Sequence, residues 1–144
     1  MPKVVIDTTV AVSAFLNARP GGAAYDLLDL CRSGAFELCL SDEILEETAD
    51  VLLTRGHLRR RYQYADADAV EYCQELARMA TLVHDIAVVS VVRDPDDDMV
   101  LACALAAGAE YLVTRDKDLL TLGAYKGIEI ITPEVFLRTM RERE

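Results

Sequence analysis

Short runs of β-branched and other apolar residues alternate along the chain with longer stretches in which apolar residues recur at helical spacing. Short apolar runs bounded by polar or turn residues are typical of buried strands. The predicted strands are residues 4–6, 36–40, 86–92, 111–114 and 128–131. Because strands and helices alternate throughout, the pattern predicts an α/β fold with a mostly parallel sheet covered on both faces.

The intervening stretches predict helices with recognisable ends. Ser41 is a good N-cap, and Thr132 followed by Pro133 is a strong helix start. The predicted helices are 8–17, 23–32, 42–54, 66–79, 99–107 and one that begins after Thr132, with a helical turn at 119–122. Residues 55–61 interrupt the pattern as a basic, exposed segment. Since the chain shows no linker or repeat, we expect one domain over residues 1–144.

Composition limits the possible functions. The chain has 52% hydrophobic residues and a net charge of −10, which predict a compact domain without a broadly basic surface. An acidic total still permits a carboxylate pocket for metal beside a local basic patch. The four cysteines form no C-x-x-C pair and predict buried, reduced thiols. We expect a cytoplasmic protein without a membrane segment, because no apolar run reaches the roughly 18 residues that a span requires.

Acidic residues stand where parallel strands end. Asp7 ends the first predicted strand and Asp116 follows residues 111–114, so both are expected at the carboxyl edge of the sheet, where α/β folds gather functional groups. Each also has a common structural role as an N-cap or turn residue. Four aspartates precede the helix 99–107 within five residues, namely Asp94, Asp96, Asp97 and Asp98. So many like charges so close together are unfavourable unless they are exposed or bound to a cation. We therefore expect a solvated loop with one functional acid, with Asp98 at the predicted helix start as the candidate.

The helix 42–54 supplies a further acid, which helical geometry selects. At about 100° per residue, Glu47 lies nearest the edge of the apolar face, whereas Glu43, Glu46 and Asp50 point further towards solvent. Glu47 is therefore predicted to lean towards the sheet edge. The alternative is an ordinary surface glutamate paired with a cation.

An inventory of the chain favours magnesium or manganese chemistry. Carboxylate oxygens suit these hard cations, and only two histidines are present for other metal sites. The chain has no phosphate-binding P-loop, no dinucleotide fingerprint and no nucleophile elbow. Carboxylates around one or two hard ions activate water and stabilise the charge that develops on a phosphodiester. The residues therefore predict metal-dependent phosphodiester hydrolysis.

Four stretches resemble the motifs of the PIN-domain ribonucleases, most closely the VapC toxins of toxin–antitoxin pairs. They are residues 5–10, 41–47, 93–98 and 113–119, and the resemblance covers nearly the whole chain in order. It implies a three-layer α/β/α sandwich with strand order 3-2-1-4-5. It also implies hydrolysis of RNA by a water molecule with Mg²⁺ or Mn²⁺ as cofactor.

The resemblance also implies roles for individual residues. The implied catalytic acids are Asp7, Glu47, Asp98 and Asp116, and the implied metal ligands are Asp7, Asp98, Asp116 and Asp118. Asp97 is a rival for Asp98, because the acid run allows a slip of one residue. Thr114 takes the place of a small hydroxyl residue near the metal. Thr9 stands where the family usually has asparagine, so this position lacks an amide.

The expected partners are an RNA substrate, a small antitoxin protein and a second copy of the chain in a homodimer. The basic segment is the candidate for phosphate contacts through Arg55, Arg59, Arg60 and Arg61, with His57 nearby. Tyr62 and Tyr64 are candidates for stacking on unpaired bases. The alternative for this segment is a helix end whose cations complement the carboxyl-terminal dipole.

Two other functions fit the sequence less well. A phosphatase of the haloacid-dehalogenase type requires a second aspartate where Thr9 stands, and a receiver domain requires paired acids after the first strand. A second alternative is a weak or inactive PIN-like protein that binds another protein. Its helices 8–17 and 23–32 would then form a groove for an amphipathic helix of the partner.

Overall fold

The computed structural model describes residues 1–143. Within that range it contains six strands, which are β1 (Lys3–Ile6), β2 (Glu37–Leu40), β3 (Thr81–Leu82), β4 (Tyr111–Val113), β5 (Ala124–Tyr125) and β6 (Ile128–Ile131). The eight helices are α1 (Thr8–Leu16), α2 (Ala23–Arg32), α3 (Asp42–Thr54), α4 (Gly56–Tyr62), α5 (Asp66–Met79), α6 (Pro95–Ala107), α7 (Lys117–Leu122) and α8 (Pro133–Glu142). The α/β class predicted from the alternation is confirmed.

The strands form one sheet in the order β3-β2-β1-β4-β6-β5. The five strands from β3 to β6 run parallel in the predicted succession, and β5 adds a short antiparallel strand at one edge. The central strand β1 is fully buried from Val4 to Ile6, as expected for a parallel sheet between two helical layers. Because Ile6 is paired with Val113, the carboxyl ends of β1 and β4 lie side by side.

The third parallel strand is not where the apolar pattern predicts it. Residues 86–92 contain no strand, and Thr81–Leu82 pairs with β2 instead. Asp85 has a φ of 57°, a left-handed conformation that ends an extended run and turns the chain away from the sheet. Ile86, Val89 and Val92 then pack on the core while Val88 is 94% exposed. Side-chain packing rather than strand pairing therefore accounts for this apolar run.

Most predicted helices are present, with two corrections near functional candidates. The basic segment forms the helix α4, which ends where Gln63 adopts a left-handed conformation. Helix α6 begins at Pro95, four residues before the predicted start at Met99, because Asp94 caps it and proline suits the first helical position. Asp98 therefore lies inside the first turns of α6 rather than at its start.

The last helix contributes to the main core. Phe136 of α8 is fully buried and packs edge-on against Phe36 and Tyr111, with ring centroids 5.0 and 5.7 Å apart. A single domain over residues 1–144 stays a prediction, and Glu144 lies outside the described residues. Within residues 1–143, no helix has the length and apolar character that a bilayer crossing requires.

Candidate metal centre

Asp7 is held at the carboxyl end of the central strand by hydrogen bonds to both of its carboxylate oxygens. Its Oδ1 accepts the hydroxyl of Thr9 at 2.6 Å and the backbone N–H of Val10 at 3.2 Å, so it also caps α1. Its Oδ2 accepts the hydroxyl of Thr114. The side chain is 4% exposed, and this burial raises the pKa of Asp7 despite those hydrogen bonds. A buried carboxylate with fixed orientation is the result.

Asp116 lies beside Asp7 because β1 and β4 are neighbours. Its Oδ1 caps the short helix α7 by accepting the N–H groups of Asp118 and Leu119 at 2.9 and 3.3 Å. The backbone N–H of Asp116 donates to the hydroxyl of Thr114 at 2.9 Å. Thr114 therefore bridges the two aspartates, since its own hydroxyl hydrogen goes to Asp7. The structure places Thr114 between these two acids, and its role beside a metal stays a prediction.

A third aspartate joins them from the first turns of α6. Carboxylate oxygens of Asp97, Asp116 and Asp118 all lie within 4.8 Å of one another. Burial raises the pKa of Asp97 to about 7, and the charges of Asp116, Asp94 and Asp7 act in the same direction. The Oδ2 atom of Asp97 is buried without a hydrogen-bond partner within residues 1–143. Repelling carboxylates and an unpartnered buried oxygen are compatible with a cation bound between them.

Asp98 has a different set of contacts from the one predicted for it. Its Oδ1 accepts two backbone N–H groups, from Val91 at 2.9 Å and from Val92 at 2.7 Å. These bonds tie the first turns of α6 to the irregular segment that precedes the helix. The three-carboxylate group contains Asp97 instead of Asp98, so the structure favours the one-residue slip. We therefore propose Asp97 as the ligand and Asp98 as the residue that positions it.

Glu47 lies on the side of α3 that faces the cluster, as helical geometry predicts. Burial is the largest cause that raises the pKa of Glu47, and the negative charges of Asp96, Asp7 and Asp94 add to it. The side chain of Thr8 lies close enough to hydrogen-bond to Glu47, which lowers the pKa of Glu47 in part. Glu47 thus faces the same negative field as the three aspartates without belonging to the group within 4.8 Å.

Asp118 and Thr9 border the cluster at its exposed side. Asp118 is about half exposed and its Oδ2 lies 3.8 Å from Arg93, a loose ion pair at the surface. Thr9 donates to Asp7 and accepts the backbone N–H of Arg115 at 3.4 Å. A threonine at this position therefore still orients Asp7 and connects it to the segment that follows β4, although it lacks an amide.

The basic segment lies away from the acids. Helix α4 follows the last residue of α3, and Glu47 precedes Arg55 by eight residues, or roughly 12 Å along a helix. Arg59 is used internally, because it forms an ion pair with Asp66 at 2.6 Å and donates to the backbone oxygen of Tyr64 at 3.2 Å. The ring of Tyr64 packs against Phe15. The predicted RNA contacts of Arg55, Arg60 and Arg61 stay predictions.

The donor set fits a hard divalent cation. Three carboxylates converge, from α6, from the N-cap of α7 and from α7 itself, and Asp7 stands next to them with both oxygens oriented. All of these ligand atoms are oxygens, which Mg²⁺ and Mn²⁺ prefer. The site is open on the Asp118 side, as such ions require because they keep several water molecules.

A comparison with family models agrees with this geometry. The model described as PIN domain matches residues 3–118, which include each of the clustered acids. No curated protein matches the chain.

Asp98 provides a test of the assignment. Asp98→Asn retains an oxygen that accepts the two N–H groups, so we expect unchanged Mn²⁺ affinity and nearly unchanged stability. Asp98→Ala leaves both N–H groups without their acceptor and should lower the free energy of unfolding by about 1–3 kcal/mol. Asp97→Asn should lose Mn²⁺ affinity. Titration calorimetry with Mn²⁺ and thermal unfolding measure both effects. A loss of Mn²⁺ affinity in Asp98→Asn with full affinity in Asp97→Asn would reverse the assignment.

The raised pKa of Asp97 predicts how stability depends on pH without metal. A carboxyl group whose pKa is higher in the folded state binds more protons when folded, so its contribution to stability falls as the pH rises from about 4 to about 7. In EDTA, Asp97→Asn should therefore match the unmodified protein near pH 4 and exceed its Tm at pH 8, by about 2–4 °C for each kcal/mol of stability that the unmodified protein has lost. The exposed Asp50→Asn is the control and should show no such difference. A lower Tm of Asp97→Asn at pH 8 would contradict the prediction.

Proposed function

The chain belongs to the PIN-domain family, a nuclease fold, and from this membership and its acid cluster we propose that it is a metal-dependent endoribonuclease. The observation that carries the proposal is the convergence of Asp97, Asp116 and Asp118 beside Asp7, with a buried oxygen of Asp97 left without a partner. RNA as the substrate rests on the resemblance of four sequence stretches to PIN-domain ribonucleases. The cofactor that the oxygen ligands favour is Mg²⁺ or Mn²⁺.

Asp7, Asp97 and Asp116 are the proposed metal ligands, and Asp118 completes the set from the exposed side. A hard cation bound there supplies an activated water and neutralises charge that builds up on the phosphodiester. The protein contributes fixed geometry. Thr9, Val10 and Thr114 bind the oxygens of Asp7, and the capping of α7 fixes one oxygen of Asp116. Ligands that are already oriented need no rearrangement when the ion binds.

Glu47 is the proposed proton acceptor. Burial raises the pKa of Glu47, and the nearby negative charges of Asp96 and Asp7 raise it further. A carboxylate with a raised pKa is a better base at neutral pH. In the proposed reaction, Glu47 accepts a proton from the attacking water as the new phosphorus–oxygen bond forms. The bond to the leaving 3′-oxygen breaks, this oxygen takes up a proton from solvent to become a 3′-hydroxyl, and the other product keeps the 5′-phosphate.

The biological role that we propose is that of the toxin in a toxin–antitoxin pair, in the cytoplasm. The support for this role is the resemblance to the VapC branch of the family. It implies a small antitoxin protein as partner and a homodimer as the oligomeric state. A neighbouring gene for a small protein with a DNA-binding end and a helical tail would support the pairing.

The central experiment is cleavage of single-stranded RNA by purified protein with Mg²⁺ or Mn²⁺. We expect cleavage that EDTA abolishes, and products that carry a 5′-phosphate. Asp97→Asn and Glu47→Gln should each lower kcat by at least about 100-fold, because a ligand or the base is lost. Asp50→Asn, on the exposed side of α3, serves as a matched control and should retain full activity. If the folded, metal-loaded protein cleaves no RNA while it still binds a partner protein, the role of a non-catalytic binding protein would replace this proposal.

A further inference from the structure

A small cleft lies between residues at the end of α1, the start of α2 and Arg115. Its volume is about 160 Å³, and two arginines, Arg19 and Arg115, are among its lining residues. Its other polar side chains are Ser13, Asn17 and Tyr25, and no carboxylate is among its lining residues. In a chain with a net charge of −10, this cleft combines two cations with neutral hydrogen-bonding groups. That composition suits an anion.

The cleft is connected directly to the candidate metal centre. Arg115 stands between Thr114 and Asp116, two residues that take part in the acid cluster. Its backbone N–H donates to the hydroxyl of Thr9, and that hydroxyl donates to Asp7. An anion in the cleft would therefore be a close neighbour of the metal ligands.

Arg115 is oriented by a bidentate ion pair. Its two terminal nitrogens donate to the carboxylate of Glu134 at 3.0 and 2.7 Å. The hydrogen bond from Arg115 lowers the pKa of Glu134, so this carboxylate is ionised at neutral pH. Two of the five N–H donors of the guanidinium group are used in this pair, which leaves donors for a ligand. Glu134 largely neutralises the positive charge of Arg115. Any net positive charge of the cleft therefore comes from Arg19.

Arg19 has no ion-pair partner within residues 1–143. The backbone around it is nevertheless ordered. Gly21 has a φ of 94°, and its N–H lies 3.2 Å from both carboxylate oxygens of Asp26. A Cβ atom at Gly22 would lie 3.2 Å from the backbone oxygen of Asn17 and 3.3 Å from that of Arg19, so the close turn depends on glycine. The turn therefore presents an unpaired cation at the rim of the cleft.

We infer that this cleft binds a backbone phosphate of the substrate strand, through Arg19 with assistance from Arg115. The inference rests on the proposed function, because it places the phosphate beside the one that is hydrolysed. Guanidinium groups match phosphate geometry, and hydroxyl and amide groups such as those of Ser13, Asn17 and Tyr25 are common additional phosphate contacts. The cleft thus explains how an acidic protein holds a polyanion close to its carboxylates. Helix α4, the other basic surface, lies beyond the far end of α3.

The test compares the binding of one fluorescent single-stranded RNA by three variants that each lack one arginine. Arg19→Gln changes the cleft, Arg60→Gln changes the basic helix α4, and Arg78→Gln is a control on α5. Each variant changes the net charge equally. Fluorescence anisotropy in EDTA across a range of salt concentrations reports binding without cleavage, and DNA of the same sequence is measured in parallel.

We expect Arg19→Gln to bind RNA about tenfold more weakly at low salt, because one charged hydrogen-bonding group is lost. The slope of log affinity against log salt should also fall by about 0.7, the value for one phosphate contact to a single strand. The DNA should show the same losses, since the contact is to phosphate. Arg78→Gln should match the unmodified protein. In Mg²⁺, Arg19→Gln should raise KM with little change in kcat.

The inference is overturned if Arg19→Gln behaves like Arg78→Gln, if only Arg60→Gln weakens binding, or if the unmodified protein binds no RNA at low salt. These results are distinct from a failure of the proposed function. A protein that binds RNA through Arg19 but never cleaves it would retain the phosphate site and lose the nuclease assignment. If the protein cleaves RNA equally well with and without Arg19, the nuclease assignment is retained and the phosphate site is lost.

Discussion

Repulsion between buried carboxylates is the constraint on which this site depends. Asp7 and Asp97 are each at least nine-tenths buried, and Asp116 adds its charge to both of their environments. Without a cation, the protein responds by holding a proton on Asp97 near neutral pH. A divalent ion would replace that proton and remove the repulsion. The fold thus carries an electrostatic cost that a bound metal ion would relieve, which is a usual trade between stability and function.

The fold tolerates these neighbouring carboxylates because two of the aspartates also cap the N-termini of helices. Asp7 caps α1 and Asp116 caps α7, each through one carboxylate oxygen. Each helix start offers N–H groups and a positive dipole that favour the charged form of an acid. Asp98 performs a similar task with two N–H groups of the preceding segment. Capping therefore offsets part of the repulsion and orients the side chains at the same time.

Hydrophobic periodicity made the α/β class and most helix boundaries predictable from the sequence, whereas the strand order was implied by the resemblance to PIN-domain ribonucleases. Glu47 was also predictable, since it depends only on which side of α3 faces the core. The preference for Asp97 over Asp98 that we propose was not predictable, because it depends on which of the two side chains lies near Asp116 in the folded chain. The Asp94–Pro95 pair is the local signal for the start of α6, and it places both acids in the first turns of that helix. The irregular path of 86–92 depends on tertiary contacts that periodicity does not report.

Arg19 shows a second limit of sequence reasoning. The basic residues at 55–61 are clustered in the sequence and are therefore easy to identify as a candidate RNA site. Arg19 and Arg115 are far apart in the sequence and line the same cleft only in the folded chain. Conversely, Arg59 looked available and is occupied by Asp66 and Tyr64. Charge density along a sequence therefore locates cations without showing which of them are free.

The most direct measurement of the central claim is a crystal structure of the protein soaked with Mn²⁺, with anomalous scattering to locate the ion. The account predicts an anomalous peak within coordination distance of Asp97 and Asp116, with Asp98 still bound to the N–H groups of Val91 and Val92. A peak coordinated by Asp98 with Asp97 turned away would contradict the assignment. A fully occupied Mn²⁺ site elsewhere, with the acid cluster empty, would contradict the account as a whole.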